Sequence, residues 1–158
     1  MSIISGSSQI LETVPHVDLN KYAGKWYEIA SFPQRFQKGC QCTTAQYTLS
    51  EKGYVIVENR CKRNGKESYI KGKAFADKNS GNAKLQVRFF WPLKGKYWII
   101  ELASDYSYAV VGHPNRKYLW ILSRIPEMDD SLYQQILSRS EKKGFDISKL
   151  NKTVQNCN

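Results

Sequence analysis

The feature that most limits what this chain can become is a period of two in its apolar residues, broken at short intervals by turn signals. In "KLQVRFF" at 84–90, Leu85, Val87 and Phe89 share one face and Lys84, Gln86 and Arg88 the other, because successive side chains of a strand point to opposite sides. In "YIKGKAFA" at 69–76, Ile70, Gly72 and Ala74 oppose Lys71, Lys73 and Phe75. Six more runs are rich in β-branched and aromatic residues: "GKWYEIASF", "TTAQYTL", "YVIVENRC", "KYWIIELA", "SYAVVGH" and "YLWILSR". Between them stand "EKG", "RNGK", "DKNSGN", "PLKG" and "HPNRK". Eight strands joined by such short connections predict antiparallel neighbours in an up-and-down sheet. Its dry face must be buried, against a second layer or by closure into a barrel. Gly72 and Ala74 leave room on that face, and an eight-stranded barrel is wide enough to hold one small ligand.

The last third changes period. "PEMDDSLYQQILSRSEKKGFD" spaces Leu132, Tyr133, Ile136 and Leu137 as one helical stripe. Asp129 and Asp130 suit the positive N-terminal end, and Lys142, Lys143 and Gly144 the C-terminal end. The spacing predicts one amphipathic helix lying outside the sheet. The fold class is therefore all-β with a single C-terminal α-helix, and 158 residues fit one domain, 1–158.

Composition and charge narrow the functions. The net charge of +10 draws anionic partners. Its carriers are scattered, however: Lys62, Arg63, Lys66, Lys71 and Lys73, then Lys94 and Lys96, then Arg116 and Lys117. With the aromatics mainly on the apolar face, nucleic acid is not an expected partner. No run approaches the roughly 18 apolar residues of a membrane span, and residues 1–17 lack the basic start and apolar stretch of a secretory signal. Yet the four cysteines, Cys40, Cys42, Cys61 and Cys157, point to disulfides and an oxidising compartment. We expect a chain whose export or lipoprotein signal has been removed, acting in the periplasm or outer membrane or outside the cell. The alternative is a cytosolic chain with reduced thiols. Cys40 and Cys42 form C-x-C, and His16 and His113 are isolated, so neither a metal site nor a cofactor is expected. No Ser-His-Asp order stands out, and no catalytic residue is assigned.

Three ordered motifs carry a resemblance: Gly24-Lys25-Trp26 on the first strand, Ser104-Asp105-Tyr106 before the seventh, and Arg124 at the end of "YLWILSR". With "NKYAGKWYEIA" and "KKGFDISKL", they make the chain resemble the lipocalin family from about residue 17 to 157, with 1–16 as an N-terminal extension. Within the family the likeness is to bacterial outer-membrane lipocalins, plant temperature-induced lipocalins and apolipoprotein D. Ser104 departs from the commoner Thr but keeps the hydroxyl.

The resemblance implies a closed barrel end in which Arg124 lies over the Trp26 indole, so that Gly24, Trp26, Asp105, Tyr106 and Arg124 are structural. Asp18, Leu19 and Tyr22 would form a short helical turn beneath it. Period two then turns Leu122, Trp120 and Tyr118 inward and Leu119 and Ile121 toward the helix. The implied ligand wall comprises Ala45, Tyr47, Val57, Asn59, Ile70, Val87, Phe89, Tyr97, Ile99, Val111, Tyr118 and Trp120. Ala109 and His113 face inward as well, and Lys94, Lys96 or Arg116 would meet an acidic head group. Glu28, on the same face as Trp26, must be paired or neutral.

By likeness to apolipoprotein D, Cys42 pairs with Cys157, which leaves Cys40 with Cys61; Cys42–Cys61 across the "EKG" hairpin is the competing pairing. The implied function is non-enzymatic binding, storage or transport of a small hydrophobic ligand, a fatty acid or lysophospholipid, by a monomer or weak dimer in contact with membrane surfaces. A lipid-modifying enzyme using a free barrel thiol is the alternative.

Overall fold

The computed structural model describes residues 9–34, 37–90 and 93–157. All eight expected strands are present: β1 (Gly24–Ser31), β2 (Gln41–Leu49), β3 (Val55–Arg63), β4 (Lys66–Ala76), β5 (Lys84–Phe90), β6 (Leu93–Leu102), β7 (Tyr108–Gly112) and β8 (Leu119–Ser123). Each pairs antiparallel with the next, and β1 pairs with both β8 and β2. The sheet thus closes on itself, which removes its edges. A ninth strand, β9 (Asn151–Lys152), adds to β1 through Ala30 and Ser31. Nothing in the sequence pattern announced it.

The barrel has an inner and an outer core. Inside, Trp26, Ala45, Tyr47, Val57, Ala74, Leu85, Val87, Ile99, Val111 and Leu122 form one buried cluster. Outside, Ile29, Ile100, Val110, Leu119 and Ile121 meet Tyr133 and Ile136 of α2 (Asp130–Lys142). "LWIL" is apolar on both faces because it is buried on both. Register shifts between Glu28 and Ala30 and between Ile99 and Glu101 interrupt the two-residue period. At the first of these shifts the consecutive residues Ile29 and Ala30 both fall in the outer core.

The Asp129 carboxylate accepts from the Leu132 amide at 3.1 Å and caps α2. Glu101 of β6 pins the helix. It receives Arg139 Nη2 at 2.6 Å and the Tyr108 hydroxyl at 2.8 Å, with Lys143 Nζ at 3.6 Å. Partial burial pushes the Glu101 carboxyl up. The Arg139 and Tyr108 hydrogen bonds, with the Arg139 and Lys143 charges, outweigh that and hold it below its ordinary value.

Residues 9–17 run against the barrel. The Val14 amide donates to the Ile99 carbonyl at 3.0 Å and the Val17 amide to the Gly81 carbonyl at 2.8 Å, with Leu11 and Val17 buried. Residues 1–8 of the expected extension lie outside the described residues. Disulfides join Cys40 to Cys61 and Cys42 to Cys157. The second closes a loop of 115 residues and holds the C-terminal tail on β2. No helix among the described residues is long and apolar enough to cross a membrane.

The closed end is one connected unit. Trp26 is fully buried, and the Arg124 guanidinium carbon stands 3.7 Å from its ring centroid. That guanidinium donates to four backbone carbonyls: Tyr106 at 3.1 Å, Lys25 at 3.0 Å, Lys21 at 2.7 Å and Tyr22 at 3.3 Å. The indole N–H donates to the Tyr22 carbonyl at 2.8 Å. Asp18 caps α1 (Leu19–Tyr22) and its own amide donates to the Tyr106 hydroxyl at 2.9 Å. Asp105 accepts from the Ser107 amide at 3.0 Å, fixing the turn in which Tyr106 takes a positive φ of 61°. Gly24 has φ +105°, and a Cβ there would stand 3.2 Å from Arg124 Nη1. Both the backbone angle and the guanidinium therefore call for glycine at this position.

Replacing Arg124 with Met keeps the stem but removes the cation–π contact and the donors. We expect a loss of about 2–4 kcal/mol in urea unfolding with an unchanged m-value. Arg124→Lys should recover little, since an ammonium lacks the planar fork.

Candidate functional site

Above the closed end the barrel holds a cavity of about 220 Å³ that opens to solvent. Of the expected wall, Ala45, Tyr47, Val57, Asn59, Val87, Phe89, Tyr97, Tyr118 and Trp120 line it. Ile70, Ile99 and Val111 do not. Ile99 and Val111 pair across β6 and β7 and are wholly covered within the packed interior. Ile70 is half-buried opposite Asn59 on β3 and lies outside the cavity wall. Alternation gives the face of a strand but not the depth at which the interior fills.

Other lining residues come from positions the pattern did not single out. Thr43 continues the inward series of Tyr47 and Ala45 by one further step of two, so extending the alternation would have found it. Thr44 follows a register shift in β2, and Gln34 and Gln37 sit in the β1–β2 connection. None of these three carries a periodic signal.

The rim carries cations. Lys94 and Lys96 are exposed and border the opening together with His113. Burial, then the Lys96 charge, pushes the His113 imidazole below its ordinary value. The Tyr118 and Trp120 rings stack at 6.1 Å along one wall. Arg116 is not at the mouth. It donates to the Lys143, Pro114 and Gln9 carbonyls and lies over Phe145 on the outer core.

Two sets of polar groups interrupt the apolar wall. Glu28 is buried and accepts from Ser31 Oγ at 3.2 Å and from Thr153 Oγ1 of the C-terminal tail. Gln155 locks the same tail, donating at 2.8 Å to the Glu28 and Thr43 carbonyls. Burial pushes the Glu28 carboxyl up, against the Thr153, Ser31 and Gln37 hydrogen bonds. At the floor, the Tyr97 hydroxyl meets those of Tyr22 at 2.7 Å and Tyr47 at 2.8 Å. Burial is the main cause that pushes Tyr47 up to about 12 and raises Tyr22 and Tyr97 well above their ordinary value. All three are neutral donors at any physiological pH.

A closed eight-stranded barrel with an apolar cavity open at one end, plugged at the other by a Trp–Arg stack and flanked by one helix, defines a class of small β-barrel proteins. The chain belongs to the lipocalin family: residues 17–155 match the family model of the lipocalin-like domain. It is 44% identical over 154 residues to temperature-induced lipocalin-1 of Arabidopsis thaliana, covering 92% of this chain and 83% of the relative. It is 40% identical over 139 residues to the outer membrane lipoprotein Blc of Citrobacter freundii, covering 87% and 78%. To apolipoprotein D of Bos taurus it is 35% identical over 151 residues, covering 89% and 78%.

Glu28 gives a test by pH. Its folded-state pKa is raised, so between the ordinary value of 4.5 and the raised one the native chain binds more protons than the unfolded chain. Stability should therefore fall as pH rises through that window. In Glu28→Gln this component of the fall should vanish, as read by urea midpoints measured across pH.

Proposed function

We propose that this chain binds and carries a small amphipathic lipid, a fatty acid or lysophospholipid, with its acyl chain in the barrel and its acidic head at the Lys94–Lys96 rim. The observation that carries this reading is the pairing of a mainly apolar cavity with Lys94 and Lys96 among its lining residues. Burying acyl methylenes supplies the driving force, at about 0.8 kcal/mol each. A chain of a dozen or so carbons then reaches micromolar affinity after the cost of association. The rim cations set orientation more than strength, because exposed charge pairs are worth about 0.2–1 kcal/mol.

The competing reading, a lipid-modifying enzyme with a barrel thiol, lacks its nucleophile here. All four cysteines are in disulfides, and no thiol is free among the described residues. The same disulfides favour an oxidising compartment. Together with the relationship to an outer membrane lipoprotein, they support action in the periplasm or at the outer membrane.

Titration with octadecanoic acid should quench tryptophan fluorescence in the delipidated protein, and Trp120→Phe should remove most of that change. A flat titration, with unchanged circular dichroism, would count against the proposal. Reversing the rim charges in Lys94→Glu/Lys96→Glu should weaken binding of the acid by roughly two- to fivefold at low salt and by less at high salt.

A further inference from the structure

The floor of the cavity is a crossbar of tyrosines. Tyr47 of β2 and Tyr97 of β6 reach each other across the barrel, with their rings edge to face at 6.0 Å. Tyr22 of α1 joins from below, stacked on Tyr47 at 5.7 Å. The crossbar divides the open cavity from a void of about 20 Å³, whose remaining walls are aliphatic: Leu19, Ala23, Leu49, Val55, Val57, Ala74, Leu85 and Val87.

The hydrogens of this group do not balance. Three phenols carry three O–H protons. They share two contacts, both to Tyr97, and each contact uses one proton. Among the described residues no other acceptor stands within hydrogen-bond distance of the three oxygens. One proton is therefore unused in every arrangement. It falls on Tyr47, Tyr97 or Tyr22 according to which way the two bonds run. Tyr47 and Tyr97 both border the open cavity, and Tyr22 borders only the lower void. Beside an open cavity water accepts that proton; a hydrocarbon guest that displaces the water leaves the donor unpaired, a cost that a guest able to accept it avoids. The phenols stay neutral, so the donor is present at all physiological pH.

We propose that this crossbar is a deep anchor selecting lipids that carry a neutral hydrogen-bond acceptor, a carbonyl or ether oxygen, toward the inner end of the chain. The inference rests on the reading of the cavity as a lipid site. The acid stays at the mouth because the cations that line the cavity, Lys94 and Lys96, stand there and none lines the floor. The preferred guest thus has two polar points separated by hydrocarbon. A plain alkyl end would meet the hydroxyls without satisfying the donor.

The test is a series of octadecanoic acids with one ketone moved along the distal half of the chain, each compared with the unsubstituted acid by calorimetric titration of the intact protein. One position, or two adjacent ones, should bind roughly three- to tenfold tighter than the parent acid. Removing both cavity-facing hydroxyls, in Tyr47→Phe/Tyr97→Phe, should abolish that maximum while the parent acid binds as well or better. The wild-type series decides the matter even where that variant fails to fold. Affinity that is flat or falls at every ketone position, with the parent acid bound, overturns the anchor and leaves the lipid reading standing. Failure of every acid to bind overturns both. A maximum that survives in the double variant places the acceptor's partner elsewhere and also overturns the anchor.

Discussion

The contact on which the rest of the barrel depends is the guanidinium of Arg124 laid over the indole of Trp26. A barrel needs a plug at one end if it is to hold a cavity at the other. Trp26 supplies the volume, but an indole alone leaves its face open to solvent. The guanidinium covers it with a weakly hydrated cation whose donors lie in a plane. Those donors bind α1, β1 and the turn before β7 at once. The adjoining α1 and β1 are tied to the distant turn before β7 by one side chain, and Gly24 is the space left for it. The lower end is thereby closed, and the cavity lies above it.

Polar groups serve different purposes along the barrel axis. At the closed end the donors find backbone acceptors, as suits a structural plug. Higher up, the tyrosine crossbar is one acceptor short. Near the mouth, Thr43 Oγ1, Gln34 Nε2 and Gln37 Oε1 are buried without a hydrogen-bond partner among the described residues. A guest that completes such groups is favoured over one that covers them with hydrocarbon. A lining of Val57, Val87, Phe89 and Leu122 alone would bind hydrocarbon strongly and discriminate little.

How far the sequence discloses this arrangement follows from what each signal measures. Alternation in "KLQVRFF" and "YIKGKAFA" depends only on which side of a sheet is wet, so all eight strands and their faces were legible. The helical stripe of Tyr133, Ile136 and Leu137 was legible for the same reason. Depth was not. Ile99 and Val111 face inward as the period requires, but neighbours from other strands cover them completely. Ile70 lies beyond the cavity wall at the partly exposed part of β4. Arg116 looked like a loop cation and proved to be a clasp between residue 9 and the end of α2, a contact spanning more than a hundred positions. β9 is two residues long, too short to carry a periodic signal.

The tail shows why the least periodic parts of the chain shape the site most. Glu28 sits on the inner face of β1, where an isolated carboxylate would be expelled or protonated. Its partners are Ser31, three residues on, and Thr153, 125 residues away. Thr153 reaches it because β9 pairs with β1, because the Thr153 amide donates to the Ile29 carbonyl at 2.9 Å, and because Cys157 is bonded to Cys42. The disulfide therefore supports more than chain stability: it holds in place the hydroxyl that makes a buried acid tolerable beside the cavity. Opening Cys42–Cys157 would remove one of the ties on the tail that carries Thr153. The carboxyl beside the cavity thus rests on a tail that the disulfide, the Gln155 amide and the β9 pairing hold together.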